Sequence, residues 1–144
     1  MKIFEPQIKE VNGLRSIYCR LRKRFVNLTP EEWVRQNFVH FLIEEKGYPE
    51  ALMGNEVQIS LNGTSKRCDT VVYNHQLTPR MIIEYKAPHV SISQKTFNQI
   101  TRYNMVLHVD YLVVSNGKKH FCCKMDYDSQ SFQFLESIPE YCEL

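Results

Sequence analysis

One stretch of the chain, LTPEEWVRQNFVHFLIEEKGYP, carries apolar residues at helical spacing. Its apolar stripe consists of Val34, Phe38, Phe41 and Leu42. Gly47 and Pro49 follow the stripe. This pair is typical of a helix end, because glycine adopts the left-handed conformation easily and proline cannot continue the hydrogen-bond pattern. The pattern therefore predicts a helix over residues 30–46 that buries one face.

The start of this predicted helix is marked by capping residues. Thr29 is a suitable N-cap, and Pro30 suits the first helical position. Glu32 lies three residues after the cap, the position at which a glutamate completes a capping box. We therefore expect the helix to begin at Pro30.

The pattern then changes to the two-residue alternation of β-strands. Val57, Ile59 and Leu61 alternate with polar residues, and Asn62-Gly63 marks a turn. A second strand is predicted over residues 67–73, and PRMIIEYK predicts a third. These three segments predict consecutive antiparallel strands joined by short turns.

A second amphipathic stretch, SQKTFNQITRYNMVL, covers residues 93–107 and predicts another helix. The stripe along its buried face consists of Phe97, Ile100, Asn104 and Leu107. The next segment, DYLVVSNGKKHFCCKMD, predicts a strand, a turn at Asn116-Gly117 and a hairpin partner. SFQFLE predicts a last strand.

The order of these elements restricts the fold. A helical crossover between two strands makes them parallel, whereas the hairpins are antiparallel. The sequence therefore predicts an α/β fold with a mixed central sheet flanked by helices and a trailing C-terminal hairpin. No repeat or linker interrupts the chain, so we expect one domain over residues 1–144, with a core at about 29–123 and an N-terminal extension, 1–28, forming an extended arm or a short strand pair.

Composition adds little to the fold but excludes some functions. The apolar share is 43% and the charged share 24%, as in ordinary globular proteins. No apolar run approaches the length of about 18 residues needed to cross a bilayer. Five cysteines form no CxxC pair and no signal peptide is recognised, which predicts free thiols and a cytoplasmic location.

The charges are unevenly placed, although the net charge is only +2. Residues 15–24, RSIYCRLRKR, contain five bases and no acid. Such a stretch could meet a phosphate backbone, or it could simply form a solvated basic face. On its own it does not indicate nucleic-acid binding.

The strongest chemical signal lies at the end of the third strand, in IIEYK. Alternation places Ile82, Glu84 and Lys86 on one face of that strand, with the two charged residues roughly 6.5 to 7 Å apart. Charged groups at the end of an apolar strand are costly to bury unless they are paired or bind a metal. A cross-strand ion pair on an exposed sheet would be the ordinary alternative.

Asp69 is the only acid in the neighbouring strand segment, KRCDTVVY. Hairpin pairing can place Asp69 opposite Glu84, and two close carboxylates repel each other unless a positive charge lies between them. Magnesium fits such a site, because it accepts one or two carboxylates and completes its shell with water and phosphate oxygens. Lys86 would then orient the attacking water and help to neutralise developing charge.

These residues, in this order of elements, resemble the PD-(D/E)xK nuclease superfamily. The greatest similarity is to the N-terminal nuclease domain of type I restriction enzyme R subunits, over residues 29–123. The stretches that carry the resemblance are LTPEEWVRQNF, KRCDTVVY, IIEYKAP and FNQITRYNMVL. Gln99 and Tyr103, one helical turn apart, match the QxxxY motif of one branch of these nucleases. The resemblance implies a restriction-endonuclease-like αβββαβ core.

The resemblance also implies a role for each matching residue. Asp69 and Glu84 would bind Mg²⁺ or Mn²⁺, with the main-chain carbonyl of Tyr85 as a third ligand. Lys86 would position the attacking water. Gln99 and Tyr103 would steady this lysine or contact the DNA backbone near the scissile phosphate.

A glutamate on the first helix often completes sites of this family. Glu32 is the candidate here in preference to Glu31, although the capping box already gives Glu32 a structural role.

The chain departs from the family pattern in two respects. Cys68 replaces the proline that usually precedes the first aspartate, a tolerated change. R subunits also continue into an ATP-driven helicase, whose phosphate loop requires GxxxxGK[ST]. NGKK at residues 116–119 does not meet that pattern. We therefore expect that the chain does not translocate DNA alone, and that it is a free-standing nuclease, the partner of a separate motor or an excised domain.

The leading hypothesis is a Mg²⁺- or Mn²⁺-dependent deoxyribonuclease domain of restriction type. Its expected partners are DNA and a separate helicase, translocase or specificity subunit, with no membrane. Two alternatives stay open at this point. One is a catalytically inactive DNA-binding or assembly module in a restriction or repair complex. The other is a structural protein whose sheet exposes alternating charges, in which Asp69, Glu84 and Lys86 would lie apart.

Overall fold

A computed structural model describes residues 4–144, so the first three residues of the predicted extension lie outside the described part. Within residues 4–144 there are two α-helices, α1 (Pro30–Lys46) and α2 (Gln94–Met105). The strands are β1 (Ile8–Val11), β2 (Leu14–Cys19), β3 (Arg24–Asn27), β4 (Met53–Leu61), β5 (Thr64–Tyr73), β6 (Pro79–Tyr85), β7 (Tyr111–Ser115), β8 (His120–Asp126) and β9 (Ser131–Leu135). Neither helix is long and apolar enough to span a membrane, and no other helix of the described residues is.

Strands β4 to β9 form a six-stranded sheet in chain order. Strands β6 and β7, which flank α2, run parallel, and every other neighbouring pair in this sheet is antiparallel. The helical crossover through α2 explains the parallel pair, and tight turns explain the antiparallel pairs. The predicted mixed α/β sheet with flanking helices and a C-terminal hairpin is therefore confirmed.

The two helices cover opposite faces of this sheet. On β6, Met81, Ile83 and Tyr85 belong to the apolar cluster that includes residues of α1. Ile82, between them, belongs to the cluster that includes Phe97 of α2. The predicted alternation along this strand is therefore observed, and the even-numbered residues of β6 face α2.

Helix α1 has the predicted bounds, but its capping differs in one detail. The hydroxyl of Thr29 accepts a hydrogen bond from the amide of Glu32 at 3.0 Å, and Gly47 ends the helix with φ of 72°. The Glu32 carboxylate does not complete the predicted capping box. It accepts hydrogen bonds from Arg22, Arg35 and Gln36 instead, because these charged and amide donors bind it more strongly than a single main-chain amide.

The segment before α1 forms a small antiparallel sheet, β1-β2-β3, where the sequence predicted only an extended arm or a strand pair. Ile17 and Cys19 of β2 are fully buried. Part of the basic stretch is neutralised internally, since Arg20 pairs with Glu44 and Glu50 and Arg22 pairs with Glu32. The stretch is thus partly structural, and it is not a uniformly free basic surface.

Candidate active site

The candidate site lies where β5 and β6 end their hydrogen-bonded pairing. The pairing register sets Thr70 opposite Ile83, and one further step in the same register sets Asp69 opposite Glu84. At this position the Asp69 side chain also bonds to β6: its Oδ2 accepts a hydrogen bond from the amide of Tyr85 at 3.0 Å. Both carboxylates therefore lie at the strand ends, close enough for the charge of Glu84 to contribute to a raised pKa of Asp69.

Lys86 follows directly after β6 and continues its hydrogen bonding to β7. The Lys86 amide donates to the carbonyl of Ser115 at 2.8 Å. Because the strand pattern continues to this residue, alternation sets the half-buried Lys86 side chain on the same face as Glu84. Within residues 4–144 the Lys86 ammonium has no ion-pair partner, which leaves its charge available to a ligand.

Glu84 already has a cationic partner on the neighbouring strand β5, the kind of cross-strand ion pair that was the ordinary alternative, formed by a lysine that the sequence did not single out. Lys66 Nζ lies 2.7 Å from Glu84 Oε1 and 2.8 Å from Asn104 Oδ1. The same ammonium lies 4.3 Å from the centre of the Tyr103 ring. The structure therefore places Tyr103 next to Lys66, whereas the family resemblance places it near the catalytic lysine or the DNA.

Gln99 and Tyr103 both lie on the solvent side of α2. The Tyr103 side chain is 65% exposed, and Gln99 is exposed beside Lys95, Asn98 and Arg102 along a shallow groove. Exposed amide, phenol and guanidinium groups on one helix can bind phosphate oxygens. These positions allow the predicted contact with a DNA backbone.

Glu32 lies in a buried network of charges below the strand ends. It is 5% exposed, and both of its oxygens are occupied. Oε1 accepts from Arg22 at 2.8 Å and from Arg35 at 2.9 Å, while Oε2 accepts from Arg35 at 3.0 Å and from Gln36 at 2.8 Å. These donors hold the pKa of Glu32 below its usual range although burial alone would raise it. Glu32 is therefore an ionised residue whose two oxygens are both used in this network, with none left for a ligand.

Arg35 connects this network to the candidate site. Its Nη1 donates to the main-chain carbonyl of Asp69 at 2.6 Å, and its Nη2 donates to Glu56 at 2.8 Å. Glu56 has a φ of 57°, in the left-handed region that costs energy for a residue other than glycine. An interruption of β4 thus lies beside Asp69, where it supplies another carboxylate for Arg35. Sequence reasoning missed both Arg35 and Glu56.

The electrostatics at Asp69 favour binding of a cation. Burial raises the pKa of its carboxyl group, and the nearby charges of Glu84 and Glu56 act in the same direction, against the Tyr85 amide and Arg35. A divalent cation would relieve this repulsion. Within residues 4–144 no group of three or more His, Cys, Asp or Glu residues could hold a metal. Two carboxylates with a main-chain carbonyl nevertheless fit Mg²⁺, because this ion keeps several water or phosphate ligands.

The raised pKa of Asp69 leads to a prediction about stability. Because the folded protein raises this pKa, the ionised carboxylate opposes folding once the pH exceeds its ordinary value. We expect Asp69→Asn, which retains an acceptor for the Tyr85 amide, to increase the free energy of unfolding by about 1 kcal/mol at pH 7 without metal. Urea denaturation in EDTA measures the difference.

The gain should shrink as the pH falls through the window between the raised and the ordinary carboxyl pKa, since both proteins are then uncharged at this position. Asp128→Asn, at an exposed position, is the matched control and should change stability by less than about 0.5 kcal/mol. A destabilised Asp69→Asn protein at pH 7 would contradict the interpretation.

Comparison with a known structure supports the fold. The chain resembles a fragment described as a putative HsdR subunit of a type I restriction enzyme from Vibrio vulnificus YJ016, with a TM-score of 0.53 and 19% sequence identity. The match covers 81% of this chain and 25% of that chain. A search of curated proteins gives no match.

Comparison with protein families identifies the chain more directly. The sequence pattern of the family described as "Type I restriction enzyme R protein N terminus (HSDR_N)" matches residues 30–139. The matched region contains both α-helices, the whole six-stranded sheet and every residue of the candidate site. The chain therefore belongs to the family of type I restriction enzyme R protein N-terminal domains.

Proposed function

We propose that this domain hydrolyses phosphodiester bonds in DNA with the help of Mg²⁺ or Mn²⁺, as a nuclease of the PD-(D/E)xK type. The observation that carries the proposal is the pairing register at the end of β5 and β6. It sets Asp69 opposite Glu84, two residues before a lysine without an ion-pair partner in residues 4–144. The family supports the coarser statement that the domain serves a restriction enzyme.

The proposed chemistry divides among a few side chains. Asp69 and Glu84, with the carbonyl of Tyr85, would hold the ion. The bound ion would supply Lewis-acid stabilisation of the negative charge that develops on the phosphate. Lys86 would hold the attacking water in line with the scissile bond and donate a hydrogen bond to the phosphate oxygens.

The remaining predicted residues would act at the edge of this centre. Gln99 and Tyr103 on α2 would contact the DNA backbone together with Arg102, since all three are exposed on one helix. Glu32 would act as a positioning residue: it holds Arg35, and Arg35 in turn holds the main chain at Asp69.

Plasmid nicking tests the proposal. We expect the purified domain to convert supercoiled plasmid to nicked or linear forms in Mg²⁺ or Mn²⁺, and to lose this activity in EDTA. Asp69→Asn should remain folded and inactive, because it loses the charge that binds the ion. Equal activity in EDTA, or an active Asp69→Asn protein, would contradict a metal-dependent mechanism.

A second candidate function is a DNA-binding or assembly module without catalysis. It is favoured by one observation, namely that Lys66 already pairs with a carboxylate oxygen of Glu84. Calorimetric titration with Mn²⁺ separates the two functions. A heat of Mn²⁺ binding that is present in the wild type and absent in Asp69→Ala supports the nuclease. If the wild type and Asp69→Ala give the same heat, the module is supported.

The proposed partners rest on the family of the chain and on the share of the matched structure that it covers. The chain spans a quarter of the length of the HsdR fragment chain that it resembles. We therefore propose that a helicase or translocase and a specificity subunit act with this domain on DNA, as separate chains or as further parts of one polypeptide.

A further inference from the structure

The Lys66 ammonium is held on three sides at the end of the candidate site. Its Nζ contacts Glu84 Oε1 and Asn104 Oδ1 at 2.7 and 2.8 Å, and the Tyr103 ring covers another side. The side chains of Lys66 and Glu84 are only 16% and 17% exposed. A flexible lysine held in this way differs from an ordinary surface ion pair, which is mobile and hydrated.

Asn104 is oriented to accept a cation. The residue is 2% exposed, and its Nδ2 donates to the carbonyl of Ile100 at 2.8 Å. This bond within α2 fixes the orientation of the amide and directs Oδ1 toward Lys66. The carboxylate and the amide oxygen therefore form a prearranged pair of oxygen ligands around one positive charge.

The charges around this pair explain why a lysine is favourable here. Asp69 and Glu84 carry like charges at neighbouring positions, and Glu84 contributes to the raised pKa of Asp69. Without metal, Lys66 is the cation that directly contacts either carboxylate through its side chain in the described part of the chain. A divalent ion bound to the Glu84 carboxylate would lie close to this ammonium and would be repelled by it.

We propose that Lys66 is an internal counter-ion that competes with the divalent metal for Glu84 and thereby lowers the metal affinity of the site. This inference rests on the proposed function, since it concerns the same pair of carboxylates. Lys66 is a positioning residue in this scheme. It stabilises Glu84 in the metal-free protein and repels a divalent ion that binds to the same carboxylate.

Calorimetric titration with Mn²⁺ tests this role on the full chain. Lys66→Met should bind Mn²⁺ roughly ten- to a hundredfold more tightly than the wild type, the factor that corresponds to a hydrogen bond with a charged group. Lys66→Gln removes the charge but keeps polar contacts with Glu84 and Asn104, so it gives the same test if the methionine variant does not fold. Lys66→Arg retains the charge and should bind like the wild type.

Two controls make the result specific. Lys124→Met removes a charge from an exposed position on β8 and should leave Mn²⁺ affinity unchanged. Asp69→Asn combined with Lys66→Met should abolish the gain, because the tighter site needs both carboxylates. Thermal unfolding gives a second measurement: Lys66→Met should melt lower than the wild type in EDTA and gain more from Mn²⁺.

The outcomes distinguish the two proposals. Equal Mn²⁺ affinity in the wild type and in both neutral variants would overturn the role of Lys66 and leave the nuclease proposal intact. Binding that is tighter when Lys66 is neutral than in the wild type, and that depends on Asp69, would support the role. If none of the proteins shows Asp69-dependent heat, the metal centre and this inference both fail.

Discussion

Lys86→Ala is expected to lower the rate of DNA cleavage by about 10²- to 10⁴-fold, the usual contribution of a side chain that positions or transfers a proton. The half-buried Lys86 is anchored through its main chain to β7 and has no side-chain ion pair in residues 4–144. The substitution should therefore leave the fold intact. The measurement is the initial rate of plasmid nicking in Mg²⁺ at saturating protein.

Measurements of DNA binding and of stability show whether a loss of cleavage comes from lost catalysis or from a damaged fold. We expect Lys86→Ala to bind a labelled duplex in Ca²⁺ with nearly the wild-type affinity, and to unfold at the same urea concentration. Lys124→Ala, on the exposed side of β8, is the matched lysine control and should cut normally. Wild-type cleavage by the Lys86 variant would remove this residue from the mechanism.

Arg35→Met is expected to reduce the free energy of unfolding by about 3–5 kcal/mol, because it leaves a buried charge without its main partner. Arg35 is 7% exposed, and its guanidinium binds Glu32, Glu56 and the carbonyl of Asp69. Methionine fills a similar volume, so the loss should reflect charge and hydrogen bonding. Urea denaturation followed by circular dichroism measures it, and a protein unfolded without urea also fulfils the expectation.

Arg67→Met is the matched control for Arg35. Arg67 binds the other oxygen of Glu56 at 2.9 Å, but its side chain is 69% exposed. An exposed ion pair contributes little, so we expect a loss below about 1 kcal/mol. If both arginine variants lost the same amount, the buried network would not be what stabilises the strand ends.

The parts of the fold that sequence reasoning predicted well are those set by local chemistry. Thr29 and Gly47 define the ends of α1 through contacts within one helical turn, and such contacts can be read from spacing. The pairing of β5 with β6 also follows from a short hairpin, but a bulge between Val72 and Tyr73 shifts its register by one residue, and this shift sets Asp69 opposite Glu84. The helix ends and the hairpin can therefore be recognised from the order of residue types along the chain, whereas the bulge cannot.

The contacts that sequence reasoning missed join residues that are distant in the sequence. Lys66 reaches Glu84, which is 18 positions away, and Asn104, which is 38 positions away. Arg35 reaches Asp69 across 34 positions. No periodicity signals the contacts of Asn104 and Arg35, since they depend on how α2 and α1 lie on the two faces of the sheet. The same limitation applies to Glu32, whose position suggested a capping box and whose carboxylate joins a buried network.

The small sheet that precedes α1 has a practical consequence for anyone who dissects this protein. The family match begins at residue 30, yet Arg22 donates to the buried carboxylate of Glu32 and Asn55 donates to the sulfur of Cys19. Trimming the chain at the family boundary would remove these partners and leave Glu32 short of one of its cationic donors. The folded domain therefore needs more of the chain than the family match covers.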